Sequence, residues 1–212
     1  VSEPADKHPP VPSRRQRLAR GDRKRQLISV AWTIVQQEGT EALTLGRLAE
    51  KAGITKPVVY GHFSDRNGLL AALYLEFDAL QNEQIDEAIA QSAETPAARA
   101  KVIADAFVDC VLAQGREIPG VIAALSGSPE LERVRRECEG ACLEKCRKAL
   151  APASPSGGVS TAGLRAMLGA AEALSAAAAA SELSAEDAKR ELRAVILDML
   201  ARQAASSRIS AE

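Results

Sequence analysis

At 212 residues the chain can hold a small N-terminal unit and a larger helical one, and aromatics at 3% beside alanine-rich stretches argue against a β-sandwich. The formal charge of −1 conceals an uneven distribution: residues 1–66 carry 12 Lys/Arg against 7 Asp/Glu, and residues 67–212 carry 15 against 21. A basic end points to a polyanionic partner, while the lack of a glycine-rich phosphate loop, a His/carboxylate cluster or a nucleophile motif speaks against an enzyme.

Residues 1–22 read as a disordered basic arm. VSEPADKHPPVPS is proline-rich and polar without apolar periodicity. The run RRQRLARGDRKR follows, with Arg14, Arg15, Arg17, Arg20, Arg23, Lys24 and Arg25. A flexible arm of this kind can enter a DNA minor groove, whose negative potential attracts arginine; an ordinary solvated tail is the other reading. No apolar signal core is present, and no unbroken apolar run approaches the roughly 20 residues of a membrane span. A cytoplasmic protein with no membrane partner is expected.

The segment Thr44–Phe63, TLGRLAEKAGITKPVVYGHF, carries the most information. Leu45, Leu48, Ala49 and Ala52 fall at helical spacing and give one buried stripe. Gly53 stands where a helix end needs a left-handed residue, and Ile54 supplies the closing apolar contact. Thr44 and Thr55 are placed to cap two successive helices, and Pro57 is tolerated in a first turn. The product is a helix-turn-helix. Lys56 sits near a helix N-terminus, an unfavourable place for a cation unless a phosphate or guanine edge meets it.

These features resemble the DNA-binding domain of the tetracycline-repressor (TetR) family. The resemblance runs from about Arg23 to Leu73 and rests on RQLISVAWTIVQQEGTEALT, LAEKAGITKPVVYGHF and SDRNGLLAAL. It implies an all-α fold: an N-terminal three-helix DNA-binding domain with a helix-turn-helix over 23–66, then a helical ligand-binding and dimerisation domain over 67–212. It further implies backbone contacts to double-stranded operator DNA from Thr44, Thr55, Tyr60, His62 and Arg66, and approach to the bases by Lys56, Pro57 and Val58. Gly61 and Gly46 stand where relatives often carry larger side chains, so a relative's operator code does not transfer.

Beyond the motif, five or six helices are expected. Leu69, Leu70, Leu73, Phe77 and Leu80 mark a long linking helix from Asp65 to about Ala90. A helix from Pro96 to Gln114 follows, then a short helix or broken turn before Pro129, and a cysteine-bearing helix that stops near Ala151. PASPSGG reads as a loop. Helices over about 160–181 and 184–205 close the chain, the second opening on a Ser184-x-x-Asp187 cap. The small residues of GLRAMLGAAEALSAAAAA let another helix approach closely, and the resemblance implies a homodimer through about residues 160–205.

Cys138, Cys142 and Cys146 share one helical face. They read as core, with a thiol redox sensor or thiolate metal site as alternatives; the two histidines, His8 and His62, are far away in sequence. The resemblance implies a pocket for an apolar small-molecule effector after Gly68, with Phe77, Phe107, Cys110, Ile118, Cys138, Cys142 and Met167 as candidate lining. No cofactor or metal is expected. The implied function is a repressor released from a palindromic operator by its effector. An architectural DNA-binding protein, an activator of the same fold and a redox-sensing regulator remain alternatives.

Overall fold

The computed structural model describes residues 19–114, 118–154 and 158–209. Their regular elements are all helical: α1 (Arg20–Glu38), a 3-10 turn (Thr40–Ala42), α2 (Leu45–Ala52), α3 (Lys56–Tyr60), α4 (Arg66–Gln91), α5 (Pro96–Gln114), α6 (Ile118–Leu125), α7 (Pro129–Leu150), α8 (Thr161–Ala179) and α9 (Ala185–Ile209). Of the expected arm, residues 1–18 lie outside the described residues, as do 155–157 of the PASPSGG loop; Arg20, placed in the arm by sequence, instead opens α1.

The punctuation of the helix-turn-helix is local chemistry. Thr44 Oγ1 accepts the Arg47 amide at 3.0 Å and caps α2. Gly53 is left-handed (φ 64°), the Gly53 amide donates to Glu50 O, and the Ile54 amide donates to Ala49 O. That pair of bonds closes α2 as a Schellman motif with Ile54 packed on the core. Thr55 occupies the cap position of α3 without a side-chain capping bond, so its hydroxyl keeps its hydrogen-bonding capacity for another partner. Asp65 caps α4 through the Gly68 amide at 2.8 Å, and Ser128, Ser160 and Ser184 cap α7, α8 and α9.

Two apolar cores run through the molecule. The first joins Leu27, Ala31, Ile34, Leu48 and Val59 of α1–α3 to Leu69, Leu73 and Phe77 of α4, and reaches Ile118, Val121 and Leu125 of α6. The second unites α5, α8, α9 and the C-terminal part of α7 around Ile103, Phe107, Cys146, Leu164, Leu192 and Ile196. Packing therefore does not divide at residue 66, because α4 belongs to the same core as the helices before it. Leu80, expected on the apolar stripe of α4, is 39% exposed. Trp32 Nε1 donates to Glu76 Oε2 at 2.8 Å, tying α1 to α4. A Cβ added at Gly120 would stand 3.0 Å from Thr40 Oγ1, so α6 lies directly against the 3-10 turn.

Candidate nucleic-acid interface and internal cavity

The helix-turn-helix holds several cations, and internal pairing sorts them. Arg47 forms a two-pronged bond to Glu38, at 2.9 Å on each arm, and also meets Glu50 at 2.9 Å. Those hydrogen bonds to Glu38 and Glu50 hold its guanidinium pKa above the ordinary range, and Arg47 in turn holds the Glu38 carboxyl below its own. Lys51 is engaged by Gln37 at 2.8 Å and Glu38 at 3.7 Å, and Arg25 by Asp22. Among the described residues, Arg20, Arg23, Lys24 and Lys56 have no carboxylate at ion-pairing distance.

Three of these free cations gather at the start of α1. Arg20 Nη2 approaches Gly61 O at 3.4 Å, which brings this end of α1 to the end of α3. His62 lies there too: burial lowers its pKa first, and Arg20, Lys24 and Arg23 lower it further. Ala19 gives α1 no side-chain cap, and a helix N-terminus beside cations is a chemistry that suits a phosphate. Lys24 belongs to this group, although sequence reading left it in an undifferentiated basic run.

The fourth cation stands on α3. Thr55, Lys56, Pro57, Val58 and Tyr60 are all exposed, with Val58 at 42% and Tyr60 at 55%, while Val59 between them is buried. Val59 anchors the helix and turns its neighbours outward. A Cβ at Gly46 would lie 3.9 Å from both Lys56 Cε and Thr44 Oγ1, so Gly46 lies beside both side chains.

Arg66 departs from the expected phosphate contact. Its Nε donates to Leu43 O and its Nη2 to Thr40 O, each at 3.0 Å, with Glu41 at 3.5 Å. Thr40 O already accepts the Leu43 amide at 3.2 Å, so Arg66 adds a second bond to it and one to Leu43 O, and the guanidinium brackets α4 to that segment.

A cavity of about 400 Å³ opens between the two cores. Phe77, Phe107, Ile118, Cys138 and Cys142, five of the candidate effector contacts, are among the residues that line it. Cys110 and Met167 do not: both are packed into the cores, at 1% and 0% exposure. The wall also includes Tyr74, Asp78, Gln81, Glu139, Glu172 and Ser175, which sequence reading missed. Tyr74, Asp78 and Gln81 recur at helical spacing beside Phe77, a signal present in the sequence but hidden by attention to apolar residues alone.

The four cysteines are free thiols and all buried. Burial pushes Cys110 up to about 11 and Cys138 up to about 12. Cys146, hydrogen-bonded to Cys142 and buried, is raised well above the ordinary thiol range. Cys142, through its hydrogen bond with Cys146, is lowered, and Cys138 and Cys142 lie on the cavity wall. Among the described residues no group of His, Cys, Asp and Glu is arranged to hold a metal ion, and no helix is long and apolar enough to cross a membrane.

An exposed helix braced by a buried neighbour, flanked by unpaired cations and joined to a hollow helical body, defines a helix-turn-helix protein of the regulatory class. Residues 27–73 match the family model for bacterial regulatory proteins of the tetR family, so the DNA-binding segment of this chain is of the TetR type. The chain is 38% identical over 77 residues to the HTH-type transcriptional activator FasR of Mycolicibacterium smegmatis, a stretch spanning only 35% of this chain and 35% of that relative. The fold resembles a Pseudomonas aeruginosa PAO1 protein (TM-score 0.72, 16% identity, 89% of this chain and 95% of the other). It also resembles a TetR-family regulator of Streptomyces coelicolor (TM-score 0.69, 18% identity, 87% and 97%).

Proposed function

We propose that the chain is a ligand-responsive repressor that binds a palindromic operator as a homodimer and leaves it when a small molecule enters the cavity. The observation that carries this reading is the coincidence of elements: the helices that wall the cavity are those that brace the motif. α4 contributes Tyr74 and Phe77 to the cavity, and its Glu76 and Arg66 hold α1 and the segment before α2. α6 contributes Ile118 and Ile122, while its Gly120 rests on Thr40. A ligand that prefers one placement of α4 and α6 must shift DNA affinity by the same differential free energy.

In this reading Thr44 and Thr55 hydroxyls, Tyr60, His62, Arg20, Arg23 and Lys24 meet the phosphates, and Lys56, Pro57 and Val58 face the major groove. Arg66 acts through the segment it holds. The exposed small residues Ala162, Ala166, Gly169 and Ala173 along α8 suit close approach by a second copy, and two-fold pairing matches a palindromic site. The FasR relative is named an activator, so the same fold with an upstream site is the second reading.

The test is a gel-shift titration against DNA upstream of the chain's own gene, with random-sequence competitor at fixed salt. Preference for a palindromic segment overlapping the promoter is the expected result. Equal affinity for both DNAs, followed by failure of a random-sequence selection to yield any motif, would leave an architectural protein instead.

A further inference from the structure

The cavity wall has a charge that an apolar ligand does not use. Its lining includes three carboxylates, Asp78, Glu139 and Glu172, and no lysine, arginine or histidine. Two of the three are answered from behind the wall. Arg135 Nε lies 2.8 Å from Glu139 and its Nη2 3.1 Å from Glu172, and Arg165 stands 3.9 Å from Glu139. Asp78 is different. Among the described residues no cation lies at ion-pairing distance from it, and its hydrogen-bonding neighbours are the Cys138 thiol and Asn82. Lys145, the nearest cation acting on it, is held by Asp86 at 2.6 Å and by Asn82 O at 3.0 Å.

A second, independent group on the same wall lacks a partner. Ser175 is 1% exposed, lines the cavity, and its Oγ makes no hydrogen bond. The hydroxyl oxygen is itself covered, so Ser175 borders the cavity without opening into it. The same lining carries the rings of Tyr74, Phe77 and Phe107, with Tyr74 and Phe77 centroids 6.4 Å apart. Aromatic rings favour a positive centre, most strongly where water is excluded.

We infer that the cavity takes an organic cation, an ammonium group on an apolar body, with Asp78 as its counter-charge and the aromatic part of the wall beside it. This deepens the reading of the cavity as a ligand site and rests on it. A neutral apolar ligand leaves the half-buried Asp78 carboxylate with hydrogen bonds but no ion-pair partner, and burial raises that carboxyl above its ordinary value. An anion meets three carboxylates and no lining cation. A volume of about 400 Å³ suits a small amphiphile.

Three probes with one chain and three head charges test the assignment: decyltrimethylammonium, decanol and decanoate, below micelle-forming concentrations, titrated into the full chain by calorimetry. Fluorescence of Trp32, the single tryptophan, gives a second readout through its bond to Glu76. The cation should bind about 10-fold or more tightly than the alcohol, with decanoate weakest, and Asp78→Asn should bring the cation to the level of the alcohol. Ala171→Phe, which fills the cavity, should abolish all three. If the alcohol or decanoate equals the cation on the unaltered protein, the charge assignment is overturned while the cavity stands as a ligand site; this comparison holds even where Asp78→Asn fails to fold. Binding of the cation that survives Ala171→Phe overturns it too, by placing the cation elsewhere. If none of the probes binds, both the assignment and the ligand-site reading fall.

Discussion

The DNA-facing surface and the cavity are built by the same electrostatic rule with opposite signs. Around the helix-turn-helix, carboxylates neutralise Arg25, Arg47 and Lys51, leaving Arg20, Arg23, Lys24 and Lys56 unopposed. Around the cavity, Arg135 is shared by Glu139 and Glu172, Arg165 stands beside Glu139, and Asp78 has no ion pair among the described residues. In each region the functional charge is what remains after internal pairing. A composition count sees neither remainder, because paired and unpaired groups weigh alike in it.

The regions also differ in what they require of packing. The surface needs a rigid base with side chains turned outward, while the cavity needs space that packing has left open. Filling that space sharpens the contrast most. Ala171→Phe should eliminate any ligand effect on operator binding while the ligand-free protein still binds DNA, with an overpacking cost of about 1–3 kcal/mol. A gel shift with and without ligand, beside a melting curve, checks both parts. Loss of DNA binding in the free variant would mean that the regions are not separable.

Arg66→Ala gives the next largest effect. Removing the bracket on Leu43 O and Thr40 O should lower stability by about 1–3 kcal/mol and weaken operator binding. The salt dependence of that binding should stay unchanged, since this guanidinium is occupied internally. A shallower salt dependence would make Arg66 a phosphate contact after all.

The sorting of cations predicts a contrast between two lysines. Lys24→Ala should reduce the slope of log affinity against log salt by about 1, whereas Lys51→Ala should leave the slope intact. Equal slopes for the two variants would break the rule drawn from pairing.

The smallest effect concerns His62. Burial and the cations Arg20, Lys24 and Arg23 disfavour its charged form in the free protein, below the ordinary value of 6.5. A phosphate placed beside it reverses that balance, so binding takes up a proton and affinity rises as pH falls. Between about pH 8 and about pH 6 the gain should reach about threefold, and His62→Gln should flatten it. For folding alone the sign is opposite: the depressed pKa favours neutral His62 in the native state, so its stabilisation is lost as pH falls through 6.5.

Much of the architecture was legible in the sequence because it is written in local chemistry. Pro96 marks the first turn of α5, Ser184 with Asp187 opens α9, and Gly53 with Ile54 closes α2; each signal acts within a few residues of the boundary it sets. The apolar periodicity of Leu192, Ile196, Met199 and Leu200 likewise marks a buried face. The sequence by itself thus determined an all-helical chain, its helix-turn-helix and the TetR type of its DNA-binding segment. Only the tertiary structure decided that Arg66 is a bracket, that Cys110 and Met167 are core, and that Asp78 is part of a cavity wall. Those facts depend on partners brought from remote parts of the chain, such as Leu43 against Arg66 and Arg135 against Glu172. Spacing along one helix fixes which face a residue occupies; what that face meets is fixed by how the helices pack.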